Sequence, residues 1–119
     1  MSRKGELRVV DYLGHMLDAI GRINLYIDDL SEVAFLDDTK TQDAVIRNFE
    51  ILGEAANNIN KNAPEFVAAH FDIPWGDIYR LRNQVAHGYF QVDLELLWQT
   101  VQRYLPELKY QLAALIQTL

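Results

Sequence analysis

The chain has 119 residues, half of them hydrophobic, a formal net charge of −6 and no cysteine. That length fits a single domain over residues 1–119, and the missing thiols exclude disulfides and thiolate metal sites, in keeping with a cytoplasmic protein. The acidic balance argues against non-specific coating of nucleic acid, which is driven by phosphate neutralisation, so any nucleic-acid role must rest on a local basic spot.

The chain begins "MSRKGELRVVDYLGHMLDAI", which is charged and broken by polar residues and lacks the apolar core of a signal peptide. From about Glu6 to Phe35, Leu7, Val10, Leu13, Leu17, Ile20, Leu25, Ile27 and Leu30 recur mostly at threes and fours. That spacing predicts an amphipathic helix, with a bend expected near Gly21. Thr39, with Gln42 three residues on, resembles a capping box opening a second helix. Val45, Phe49, Leu52, Ala56 and Ile59 form its apolar stripe. Gly53, Ala55 and Ala56 are small enough to admit a neighbouring backbone. Pro64 starts a short connecting helix through His70, and Pro74 opens the next, "PWGDIYRLRNQVAH", because a proline in the first turn loses no hydrogen bond. Gly88 sits where a left-handed cap ends a helix. Asp93 suits an N-cap. Leu94, Leu97, Val101, Leu105, Leu108, Leu112, Leu115 and Leu119 then step to the end of the chain. Pro106 falls inside that stripe and must kink or restart the helix. No run reaches the ~18 uninterrupted apolar residues of a membrane span, so no membrane association is expected. The fold class predicted is all-α: an up-and-down bundle of four main helices plus a short connecting helix.

The stretch "RNQVAHGYF" concentrates chemistry. At ~100° per residue, Asn83 and His87 lie on one helix face, while Arg82 and His87 are roughly 140° apart and flank a common edge. Tyr89 lies past the predicted helix end. Arginine binds phosphate oxygens through a planar fork and keeps its charge near neutrality. Histidine titrates near pH ~6.5 and can take and return a proton. Together Arg82 and His87 suit RNA cleavage without a metal. The imidazole takes the proton from a ribose 2′-OH, that oxygen attacks the adjacent phosphorus, and the guanidinium stabilises the phosphorane. A second proton carrier is missing from one chain, and a homodimer would supply it. A purely structural role stands beside this one, since Arg and His near a helix C-terminus also complement the helix dipole.

"RNQVAHGY" resembles the R-x4-H-x-Y motif of HepT-like proteins, a branch of the HEPN superfamily. The resemblance extends through "RNFEILGEAANNI", "IPWGDIYRLRN" and "YFQVDLELLWQTV". It implies a dimerising, HEPN-like helical bundle. It further implies a toxin acting as a metal-independent ribonuclease, with an RNA substrate and no cofactor, paired with a nucleotidyltransferase antitoxin of the MNT type. It puts the catalytic arginine at Arg82 and the catalytic histidine at His87, with Asn83 in support. It makes Tyr89 the tyrosine that such a partner adenylylates. AMP on Tyr89 would add an anion that competes with RNA phosphate for Arg82, and bulk that closes the cleft. Within the same family, a non-catalytic subunit that binds substrate for a nucleotidyltransferase is the alternative. A plain helical dimerisation domain is a third reading.

Other side chains carry weaker signals. His15 and Asp18 are spaced like a metal pair but have no evident third ligand, so a surface histidine is expected. His70 reads as a helix C-cap. Glu50 and Glu54 are one turn apart, and Glu54 is expected to hold Arg82 or Arg47. Trp75 and Trp98 fall at core positions, and Asp28, Asp29, Asp37 and Asp38 at a solvated or partner-facing surface.

Overall fold

The computed structural model describes residues 2–87 and 93–119, with side chains placed for residues 8–83 and 93–119. Every element among them is helical: α1 (Ser2–Ile27), α2 (Glu32–Leu36), α3 (Thr39–Asn62), α4 (Pro64–Ala69), α5 (Trp75–His87), α6 (Leu94–Gln99), a π-helical turn (Thr100–Tyr104) and α7 (Leu105–Gln117). The central helix is α3, packed against α1 on one side and α5 on the other, while α7 closes on α1. The result is the all-α bundle expected, with four long helical segments. Two short helices link them rather than one, since α2 joins the predicted connector α4.

The first predicted segment divides in two. Helical bonding continues through Gly21 but stops at Ile27, where Leu30 N–H donates to the Ile27 carbonyl in a turn through Asp28 and Asp29. These aspartates are poor helix formers because their side chains compete for backbone groups. Ser31 then caps α2, its hydroxyl accepting from Ala34 N–H. The buried ladder of α1 is Val9, Leu13, Met16, Ile20, Ile23 and Ile27, an unbroken run of threes and fours. Val10 and Leu25, expected in the stripe, lie just off that ladder and are exposed.

The Thr39 capping box does not form. Asp38 is the N-cap of α3, its carboxylate accepting from Thr41 N–H at 3.0 Å and from the Thr41 hydroxyl at 2.7 Å. The Thr41 hydroxyl, then the Thr41 amide, holds the Asp38 carboxyl below its ordinary pKa. Gln42 is buried and donates instead to the Phe35 carbonyl at 2.9 Å, tying α3 to α2. In the rest of α3 the predicted stripe is buried throughout.

Asp93 caps α6 as expected, accepting from Leu96 N–H at 3.0 Å. Pro106 has the predicted effect, in the form of a wide turn. Leu105 N–H reaches back to the Thr100 carbonyl, five residues away, and α7 restarts with the proline in its first turn. Widening the turn accommodates a ring that clashes with a regular preceding turn and brings no donor. Leu97, Val101, Leu105, Leu108, Leu112 and Leu115 stay in the core, and Leu119 lies exposed beyond the helix end. Trp98 packs on Phe35 with ring centroids 5.4 Å apart. Among the described residues no helix is long and apolar enough to cross a membrane.

Candidate functional site

Helix α5 carries the motif, and its start is firmly held. His70 ends α4 by donating its N–H to the Phe66 and Val67 carbonyls. The His70 carbonyl accepts from Ile73 N–H at 3.1 Å and from the indole of Trp75 at 3.0 Å. Ile73 and Trp75 are buried, and the Pro74 carbonyl accepts the first bond of the helix from Ile78 N–H. "IPW" is thus an anchor. It fixes the position of α5, and with it the rest of the helix, against the end of α4. The proline occupies a place where its missing N–H costs nothing.

Further along, α5 crosses α3 at Gly53. A Cβ at that position would overlap the Cβ of Arg82, with Arg82 Cγ at 3.0 Å and the Ile78 carbonyl oxygen at 3.2 Å. The glycine therefore lets the two backbones close, as its size suggested, and the residue it accommodates is the motif arginine. Arg82 is half-buried beside this crossing. One of its terminal nitrogens donates to the Asn83 side-chain oxygen at 3.3 Å, and its guanidinium carbon lies 6.0 Å from the Tyr79 ring centroid, within cation–π range. Its Nε is fully buried and meets no acceptor among the described residues.

No carboxylate described lies within 4.0 Å of Arg82. The expectation for Glu54 fails. Glu54 is exposed on α3, and Arg47 pairs instead with Glu50, at 3.9 Å and one turn away. With Gly53 directly under Arg82, position 54 is rotated ~100° away from the crossing, which explains the miss. Arg82 is thus a positive charge held by packing, by a carboxamide and by an aromatic ring, with no internal counter-charge described.

The backbone of α5 carries position 87 to the helix end, one turn beyond Asn83 and on the same face. The side chain of His87 and all of Gly88 and Tyr89 lie outside the described residues. The structure brings Arg82 and Asn83 together. It adds two residues for which the motif gave no direct sign: Tyr79, at the i,i+3 spacing that lets side chains meet on a helix, and Gly53 from a different helix. His15 is exposed, edge-on to Tyr12 with centroids 6.1 Å apart, and no group of three metal-ligating side chains occurs among the described residues.

The fold and site define a helical-bundle protein that holds, near the end of a motif helix, an arginine with no carboxylate partner among the described residues. The chain belongs to the HepT-like family: residues 16–115 match the family described as ribonuclease HepT-like. It is 42% identical over 99 residues to a probable ribonuclease HepT of Thermococcus cleftensis, covering 83% of this chain and 87% of that protein. It is 37% identical over 108 residues to a Methanocaldococcus jannaschii protein named as a gamma-glutamylcyclotransferase and, provisionally, an RNase, covering 91% of this chain and 47% of that one. A provisionally named RNase of Caldanaerobacter subterraneus subsp. tengcongensis is 32% identical over 106 residues, covering 89% of this chain and 92% of its own. No solved structure matches significantly.

Proposed function

We propose that this protein is a metal-independent endoribonuclease whose site is built from Arg82 and His87, and that it is the toxin of a toxin–antitoxin pair. The observation that carries the reading is Arg82: half-buried, without a carboxylate partner among the described residues, and one and a half turns before the motif histidine on a helix anchored at its start. Family membership gives RNA as the substrate class.

In the reaction, the His87 imidazole takes the proton of a ribose 2′-OH. The 2′ oxygen forms a bond to the adjacent phosphorus, and the bond from phosphorus to the 5′ oxygen breaks. Arg82 stabilises the added negative charge on the phosphorane oxygens, where a fixed cation in a partly desolvated site acts most strongly. A second imidazole, from His87 of a second copy, delivers a proton to the leaving 5′ oxygen. The products are a 2′,3′-cyclic phosphate and a 5′-hydroxyl. Asn83 holds the guanidinium in place. Control is assigned to Tyr89. A nucleotidyltransferase antitoxin would transfer AMP from ATP to its hydroxyl with loss of pyrophosphate, adding an anion and bulk at the cleft. A phenol of pKa ~10 is a poor nucleophile, so the partner must supply the base and the metal.

Growth of cells expressing this chain alone, with cleavage of total RNA by the purified protein, is the test. Arg82→Ala and His87→Ala should each abolish toxicity and lower cleavage by ~10²–10⁴-fold with the helical circular dichroism unchanged. A harmless wild type that cuts no RNA would leave the family's other role, a non-catalytic subunit of a nucleotidyltransferase. Intact-mass measurement after co-expression with a cognate nucleotidyltransferase should show AMP on the chain and none on Tyr89→Phe. An unmodified chain in a neutralised complex would make the antitoxin a steric mask.

A further inference from the structure

We propose that the cavity between α3, α4 and the start of α5 is a nucleobase subsite, which seats a base of single-stranded RNA beside the cleavage site. This deepens the ribonuclease reading and rests on it. The cavity has a volume of about 460 Å³, within the range that holds small organic ligands. Phe71, in the turn after α4, stands at its edge with 84% of its surface exposed. Asn57 and Asn60, one turn apart on α3, line it, and neither carboxamide makes a hydrogen bond among the described residues. Arg80 lines it from α5.

Each of these suits one part of a nucleotide. An exposed aromatic ring offers a stacking face, the commonest way in which proteins hold unpaired bases. A carboxamide presents an acceptor and two donors, which match the polar edge of a base. Arg80 supplies positive charge for phosphate. It is tied to Asp77 in an ion pair whose members are both more than half exposed. Such a pair is worth little in water, so a phosphate can displace the carboxylate. Lys61, exposed on α3 one turn beyond Asn57, adds a second cation.

The position of the cavity ties it to the reaction. Backbone positions 76, 80, 83 and 87 of α5 are spaced four, three and four apart, so they share one helix face. Gly76 and Arg80 line the cavity on that face. Asn83 and position 87 follow along it, the latter about 10 Å from Arg80 at 1.5 Å per residue. A short run of unpaired RNA with its base against Phe71 can therefore lie along α5 to the motif. A duplex cannot present a base edge and a free base face to the cavity.

The test is binding of a labelled single-stranded 2′-O-methyl oligonucleotide, which cannot be cut because the attacking hydroxyl is blocked. Phe71→Ala should weaken binding about five- to 150-fold, the range for loss of one base stack. Asn60→Asp, an exposed and nearly isosteric change, should weaken it as well, and a duplex of the same sequence should compete poorly. A wild type that does not bind, or Phe71→Ala and Asn60→Asp proteins that bind as tightly as wild type, would overturn the subsite. So would a loss of binding in Phe71→Ala that coincides with a changed mass in light scattering, which would give this face to a contact between copies. Cleavage of unmodified RNA is read in parallel. Binding that depends on Phe71 without cleavage would keep the subsite and sink the ribonuclease, whereas cleavage indifferent to Phe71 would do the reverse.

Discussion

Arg82 is set in place chiefly by a residue with no side chain. Gly53 lets α3 approach until the Arg82 Cβ occupies the space that a Cβ at position 53 would need. Even one added methyl must therefore push α5 outwards or rotate Arg82 off its contacts with Asn83 and Tyr79. Overpacking of this kind costs ~1–3 kcal/mol. Gly53→Ala should lower stability to denaturant by that amount and, if Arg82 acts on the phosphorane as proposed, lower kcat more than it raises KM. Chemical denaturation and steady-state cleavage measure the two effects; unchanged kcat in a folded Gly53→Ala protein would separate the crossing from the chemistry. The motif residues and the small-residue face of α3 were both legible in the sequence. That Gly53 and Arg82 meet was not, because a contact between helices depends on crossing geometry, which no single-helix periodicity contains. The same gap misled the expectation for Glu54. Of two carboxylates a turn apart, spacing alone gave no ground for the choice of Glu54, and only the rotation of α3 about its axis sends Glu54 to solvent and leaves Glu50 with Arg47.

At the scale of elements, the prolines and aspartates that punctuate the chain account for most of the helix boundaries. Pro64, Pro74 and Asp93 act where expected. Asp38 displaced Thr39 as the cap of α3 because an ionised carboxylate accepts more strongly than a hydroxyl and reaches both the amide and the hydroxyl of Thr41. The π-turn ahead of Pro106 was legible only as a disturbance, since a proline does not specify how the preceding turn will relax. That turn places Tyr104 with its hydroxyl buried and without a partner among the described residues. Burial first, then the negative charges of Asp77 and Glu107, push its phenol up to about 12 from the ordinary 10.0. The folded state therefore favours the protonated phenol more than the unfolded chain does. The stability this confers is fully present below pH ~10 and is lost as pH rises towards the folded value. Tyr104 should give a late step in an absorbance titration of tyrosinate, and Tyr104→Phe should remove that step. At neutral pH the same substitution should leave the melting temperature level or higher, because it deletes a buried hydroxyl that has no partner among the described residues while keeping the ring. A clear loss of stability in Tyr104→Phe would mean that the hydroxyl has a partner.

For the molecule as a whole, charge and proton inventory set the terms of function. A net charge of −6 gives RNA no general attraction, so association must run through the few cations beside α5, and its dependence on salt should be shallow, as expected for few phosphate contacts. Under the proposed mechanism the proton count calls for assembly. Cleavage needs one group to remove the 2′ proton and another to protonate the 5′ oxygen, and one chain offers a single motif histidine. A two-fold dimer with both copies of His87 at one cleft satisfies this, since a two-fold axis brings the same residue from each chain to the same place. Mixing experiments distinguish a shared cleft from two separate sites. If wild-type and His87→Ala chains are unfolded together and refolded in equal amounts, they pair at random, and only about one dimer in four keeps both histidines. A shared cleft then retains about a quarter of the wild-type activity, whereas independent sites retain about half. Light scattering on the same samples should give the mass of two chains. A monomer at micromolar concentration, or activity that falls in simple proportion to the wild-type fraction, would place both proton transfers within one chain and require a second acid–base group other than His87.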